Sequence, residues 1–237
     1  MNETSLAIMQ PYVFPYVGYF HLIESSDMIV FYDDVNYIKR GWINRNRILL
    51  NHSDFMFTIP LEKASQNKLI NEIKPIIDSA FKNKFFAQIE AAYKKAPYYK
   101  EVLELLSLVF SKQQNNIADL AINSIILTYD FLGKEIKWAK SSILSPETKG
   151  LDKADRLIQI NKQLGFSNYN NPIGGKELYS IEYFKNNDIN LGFIESKKNE
   201  YKQFQNDFVN GLSIIDILMF NDIKLIDGLF NGYKLLK

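Results

Sequence analysis

Pro11 stands directly behind a short apolar run, Leu6 to Gln10, and a proline has no N–H to continue a strand ladder. The run therefore reads as a strand that a turn ends. Gly18 to Ser26 follows, with Phe20, Leu22 and Ile23 apolar, which predicts a short helix. Met28 to Tyr32 (MIVFY) is then an unbroken apolar stretch of strand length that ends at Asp33 and Asp34. Strand, helix and buried strand in that order open a βαβ unit with a parallel sheet. The loops after Gln10 and Asp33 then lie at the carboxyl ends of parallel strands, where open α/β sheets place ligands.

The rest of the chain agrees with an α/β architecture: a parallel or mixed twisted sheet with flanking helices and a helical middle segment. Arg47 to Asn51 and Asp54 to Pro60 flank a turn over residues 51–54 and predict a hairpin. Ile70 to Ile77 reads as a further strand. Residues 78–132 turn helical, with Phe81, Phe85, Phe86, Ile89 and Tyr93 at spacings of three and four, a break at Pro97, a new stripe from Val102, and a third helix capped by Asn116. Glu135 to Lys140 and Ile189 to Ile194 read as strands, and Asp152 to Leu164 and Tyr179 to Asn187 as helices. Beyond Ile214 a helical tail is expected to Lys237. With no repeat or linker in view, residues 1–237 are taken as one domain, with 78–132 as a candidate helical subdomain.

Composition removes several classes of function. With 28 basic and 27 acidic residues there is no global field to recruit nucleic acid. There is no cysteine, so disulfides, thiolate zinc sites and a cysteine nucleophile are excluded. The start lacks the pattern of a signal peptide and no apolar run suits a membrane span, so a soluble cytoplasmic protein is expected. HExxH, GxSxG, GxxxxGK[ST] and GxGxxG motifs are missing, which disfavours zinc hydrolase, nucleophile-elbow, Walker and Rossmann readings, and no metal site is expected.

Two constellations remain in the first fifty residues. In QPYVFPYVGYFHLI, Gln10 is followed by Tyr12, Tyr16, Gly18 and Tyr19. A stiff loop entering a helix offers free N–H groups for phosphate, and tyrosines offer faces and hydroxyls for a sugar or base. An aromatic turn packed on the core would use the same residues. In FYDDVNYIKRGWINRNRI, Asp33 and Asp34 precede Lys39, Arg40, Trp42, Asn44, Arg45, Asn46 and Arg47. Guanidinium groups clamp phosphate or carboxylate, while an aspartate suits a magnesium ion, a ribose hydroxyl or the proton of an amine. The alternative is a solvated basic loop. His21, early in the first helix, is a candidate general base. Later, Tyr169, Gly174, Gly175 and Tyr179 border a Gly-Gly turn that serves either as a ligand loop or as a simple connection.

The motifs MQPYVFPYVGYF and FYDDVNYIKRGWINRNRI resemble the opening signature of the WbqC-like family. DRLIQINKQLGFSNYNNPIGGKELY, NDINLGFIE, YKQF and LSIIDILMFN are similar to its C-terminal half, so the resemblance covers nearly the whole chain. It implies a place in bacterial surface-polysaccharide (O-antigen) biosynthesis and transfer of an amino acid such as glycine, or another acyl group, to an amino sugar. The partners implied are a sugar nucleotide and an acyl or amino-acid donor. Under that reading Arg45, Arg47 and Lys39 form the anion clamp, Asp33 or Asp34 takes the amine proton, and Asn44 or N–H groups near Gly18 hold the oxyanion. A fainter likeness to α/β ligases and nucleotidylyltransferases, with Gly18-Tyr19 where those have Gly-His, adds ATP with magnesium as a candidate cofactor. The alternatives are a non-catalytic sugar-nucleotide or glycan-binding module and a protein-interaction scaffold.

Overall fold

The structure is a computed structural model and describes residues 4–197, 200–204 and 207–236. Its frame is a six-stranded sheet in the order β5-β2-β1-β6-β7-β8. These strands are β1 (Ser5–Met9), β2 (Met28–Phe31), β5 (Trp138–Lys140), β6 (Asn168–Pro172), β7 (Asn190–Ser196) and β8 (Tyr233–Leu236). The first five are mutually parallel, and β8 runs antiparallel on β7, Phe193 facing Leu236. The expected βαβ opening is present: β1, α1 (Val17–Glu24), then β2, with Leu6 opposite Met28 and Met9 opposite Phe31. The sheet grows to one side of β1 through β2 and to the other through β6, so β1 and β6 flank a topological switch point.

Both faces of the sheet are covered. One carries α1, the helices α2 (Ser79–Tyr93), α3 (Tyr99–Ser111) and α4 (Ile117–Phe131), and α8 (Ile214–Phe220) and α9 (Ile223–Phe230), whose buried residues form one cluster from Ala7 to Phe230. The other carries α6 (Lys153–Leu164) and α7 (Ile181–Lys185), packed on Leu6, Ile8, Val30 and Tyr169. The short α5 is Ser141–Leu144. The hairpin β3 (Arg45–Leu50) and β4 (Ser53–Thr58) forms a separate two-stranded sheet.

Three elements differ from expectation. Ile70–Glu72 is a single 3-10 turn rather than a strand, and the following residues reach β4's extension only through a bridge of Leu61 to Pro75. The chain's last segment is the strand β8, not a continued helix, because α9 ends at Phe230 and residues 233–236 add to the free edge of β7. The stretch around Tyr169 is not a loop. It is β6, next to the central strand.

Candidate functional site

The residues Gln10 to Tyr16 leave β1 as a tight arch. Phe14 holds a positive φ of 41° although its ring is fully buried, a conformation that persists only when surroundings enforce it. Its N–H donates to Ser124 Oγ at 2.9 Å, and its carbonyl accepts from Ser213 Oγ at 2.7 Å and Asn46 Nδ2 at 2.8 Å. The Pro15 carbonyl accepts from Ile214 N–H and the Arg47 carbonyl from Ser213 N–H. One junction thus ties the arch, β3 and the start of α8 together.

Between these segments lies a pocket of about 240 Å³ lined by Tyr12, Pro15, Tyr16, Trp42, Asn46, Arg47 and Gly211. Six of them, all but Gly211, belong to the two N-terminal constellations read from the sequence. Tyr12 packs on Tyr19 with ring centroids 5.5 Å apart. Burial, reinforced by Tyr16, pushes the Tyr12 phenol up to about 12, and burial also raises Tyr16 and Tyr19. These hydroxyls therefore stay protonated, and at the pocket Tyr12 and Tyr16 offer donors and flat faces rather than bases. The Arg47 guanidinium lies 5.4 Å from the Trp42 ring centre, donates to the Gly211 carbonyl at 3.0 Å and pairs with Asp54 at 3.3 Å. Its Nε is buried without a partner among the described residues, a donor that an anionic ligand could take. Gly18 is needed for a local reason: a Cβ there would come within 2.4 Å of the Tyr16 ring, which folds over the first turn of α1.

The other cations do not join Arg47. Arg45 stacks at 5.9 Å from Trp42 but spends its Nε on the Gly41 carbonyl and its Nη2 on the Arg40 carbonyl. Lys39 and Arg40 are exposed on the loop. Asn44 is buried and used up, accepting from Tyr37 Oη and donating to the Ile59 carbonyl. Gln10 leaves its Oε1 buried without a partner among the described residues, while its carbonyl accepts from Tyr19 Oη at 2.9 Å.

Asp33 and Asp34 are buried at the end of β2, away from the pocket lining. Asp33 accepts from Ser142 N–H at 3.0 Å, Ser142 Oγ at 2.7 Å and Asn71 Nδ2 at 3.3 Å. Asp34 accepts from Ser141 Oγ at 2.5 Å and from Arg156 Nη2 at 2.6 Å. The start of α6 reads from the sequence as an exposed face with Asp155 and Arg156, yet Arg156 is buried, caps Tyr32 at 4.7 Å and donates to Thr148. This donor set does not fit a magnesium ion: the carboxylate oxygens already point at hydroxyls, amides and a guanidinium. Among the described residues no group of three His, Asp or Glu side chains is placed to hold a metal.

The remaining predicted residues lie elsewhere. Tyr169 is buried in β6, stacked 5.7 Å from Phe184, and Tyr179 meets the same ring edge-on. Gly174 and Gly175 form a 3-10 turn after β6, and a Cβ on Gly175 would strike the Asn171 side chain. His21 is fully buried on α1, bonded to Ser196 and to the Leu229 carbonyl. Gly211 was missed; the Asn-Gly pair before α8, with φ of 69° at the glycine, was its only sequence signal.

A family model for the WbqC-like protein family matches residues 10–227, a span that contains the arch, the hairpin and the switch-point strands. The chain belongs to the WbqC-like family. It is also similar to an uncharacterized protein of Mycobacterium tuberculosis, Rv1507c, at 26% identity over 217 residues, covering 90% of this chain and 92% of that one. No solved structure matches the chain. Among the described residues, no helix is long and apolar enough to cross a membrane.

Proposed function

We propose that this WbqC-like protein transfers an amino acid, such as glycine, or another acyl group to the amino group of a nucleotide-linked amino sugar in surface-polysaccharide biosynthesis. The observation that carries the reading is the pocket itself. Three aromatic side chains, Tyr12, Tyr16 and Trp42, surround one guanidinium with a buried N–H that no described residue accepts. Flat apolar faces suit a sugar or base, and Arg47 suits the phosphate that travels with it. At about 240 Å³ the pocket holds one ring and an anionic group rather than a whole sugar nucleotide, so the reacting amine would project beyond it.

Binding and turnover are separable. The chain has two tryptophans, so in a Trp138→Phe background Trp42 alone reports on the pocket. Titration with a nucleoside-diphosphate amino sugar should quench its fluorescence, and Arg47→Met should weaken the affinity about tenfold, the loss of one charge-assisted contact. Adding acyl donors should then give an N-acylated sugar by mass spectrometry. An unchanged Trp42 signal up to saturating sugar nucleotide would reject the reading. A second reading, a sugar-nucleotide-binding module without catalysis, is favoured by one observation: among the described residues no carboxylate lines the pocket, and Asp33 and Asp34 are committed to internal partners. Saturable binding without product would select it.

A further inference from the structure

Away from the aromatic pocket, α1 and the end of β7 bring a serine against a histidine. Ser196 is exposed, and its Oγ lies 2.9 Å from His21 Nδ1. On the other side of the ring, His21 Nε2 lies 2.8 Å from the Leu229 carbonyl oxygen near the end of α9. A carbonyl oxygen only accepts, so Nε2 of the neutral ring carries the proton and Nδ1 keeps its lone pair. The Ser196 hydroxyl then donates to Nδ1. Nucleophile, base and orienting acceptor stand in the relation that activates a serine hydroxyl.

We propose that Ser196 is an acyl-accepting nucleophile, with His21 as its general base and the Leu229 carbonyl as the group that fixes the tautomer. The placement suits this. β7 is parallel to β6 and β1, so Ser196 stands at a carboxyl strand end, the side of an open α/β sheet where reacting groups gather. Ser196 is an exposed residue while the imidazole is fully buried, with the Tyr233 ring 5.8 Å away. Burial lowers the imidazole's pKa from its ordinary 6.5, against the opposing pull of the Leu229 carbonyl. At neutral pH the ring is accordingly a base and not a cation.

The donor class is an activated acyl group, a thioester or an ester with a good leaving group. Ser196 Oγ bonds to the acyl carbon and its proton passes to His21 Nδ1. The carbon–sulfur or carbon–oxygen bond breaks, and the departing thiol or alcohol leaves with that proton. An amine then attacks the acyl-serine, the carbon–Oγ bond breaks, and a proton from the amine returns through Nδ1 to Oγ. The second half rests on the acyl-transfer reading above and supplies the nucleophile and base that the aromatic pocket does not; the first half can be tested without any sugar.

The full chain is treated with p-nitrophenyl acetate. A burst of p-nitrophenol with an acetyl group mapped to Ser196 by peptide mass spectrometry is expected, and Ser196→Ala, with an unchanged circular dichroism spectrum, should lose both. Because the chain has no cysteine, Ser196→Cys places a single thiol against Nδ1. Its alkylation by iodoacetamide should titrate below the ordinary thiol value of about 8.5 and return to it when His21→Gln is added. A surface serine that merely ties strand to helix would show no acetyl-enzyme. An unacetylated Ser196, or a thiol that titrates at its ordinary value, overturns the proposal. Acetylation of Ser196 without transfer to a nucleoside-diphosphate amino sugar rejects the transfer reading and leaves the nucleophile standing.

Discussion

Arg156 and Asp34 are each only 5% exposed and pair at 2.6 Å. Breaking such a pair from one side leaves a charge in the core with nothing opposite it. Arg156→Met should therefore cost about 3–5 kcal/mol, well above the effect of an exposed pair, and urea denaturation would measure it. A midpoint unchanged from wild type would show that Asp34 has other means of support. Gly18→Ala tests the opposite case. The added methyl collides with the Tyr16 ring, a side chain that is 43% exposed and free to swing outward. The fold should survive with little change in midpoint, while the Trp42 fluorescence response to a nucleoside-diphosphate amino sugar weakens because one wall of the pocket has moved. At this scale the sequence was most readable for side chains too polar or aromatic for packing alone, such as Tyr12, Tyr16, Trp42 and Arg47. It was silent on Ser196, because an isolated serine at a strand end looks like any other until a histidine 175 positions away is folded against it.

At the level of elements, the opening strand, helix and strand could be read because apolar content and proline placement coincide with their boundaries. β6 could not. Asn168, Asn170 and Asn171 give it the composition of a loop, yet Asn170 Nδ2 donates to the Ser25 carbonyl at 2.6 Å and Asn168 Nδ2 to the Thr4 carbonyl at 3.2 Å. These amides fasten the strand to the end of α1 and the start of β1, contacts that no local pattern announces. The junction at α8 is similar. Ser213 caps the helix by accepting from Ile215 N–H at 3.2 Å and donates to the Phe14 carbonyl. Asn46 also donates to that carbonyl, so Ser213→Ala does not orphan it. The variant should lose the cap and one hydrogen bond, about 1–2 kcal/mol by chemical denaturation. It should also relax the arch that holds Phe14 at positive φ, seen as a weaker Trp42 response to the sugar nucleotide. A loss of stability with full affinity would show that the arch holds its shape without α8.

Across the whole molecule, a single buried carboxylate joins parts that are distant in sequence. Asp216 on α8 is fully buried and accepts from Tyr93 Oη of α2 at 2.8 Å, from Tyr201 Oη at 2.6 Å and from Gln203 Nε2 at 2.8 Å. Tyr93 Oη accepts in turn from Leu49 N–H of β3, and Gln203 holds Val209 through both its N–H and its carbonyl. The groups that face Asp216 are thus two phenols and an amide, with no cation among them in the described structure. Burial raises its pKa above the ordinary 3.8 despite the three donors, so the folded chain holds a proton there that the unfolded chain releases. The sign follows from linkage: where the native state binds more protons than the unfolded state, stability falls as pH rises. Asp216's contribution is greatest below 3.8 and declines as pH climbs from there through its raised folded value. Asp216→Asn removes that titration, so the stability difference between wild type and variant, followed by urea denaturation across the acid range, should decline for wild type as pH rises and then level off. A flat difference would mean that the three donors offset the burial cost completely. It would make the site an ordinary ionised carboxylate holding Tyr201 and Gln203, and through Gln203 Val209, beside Gly211 and Arg47.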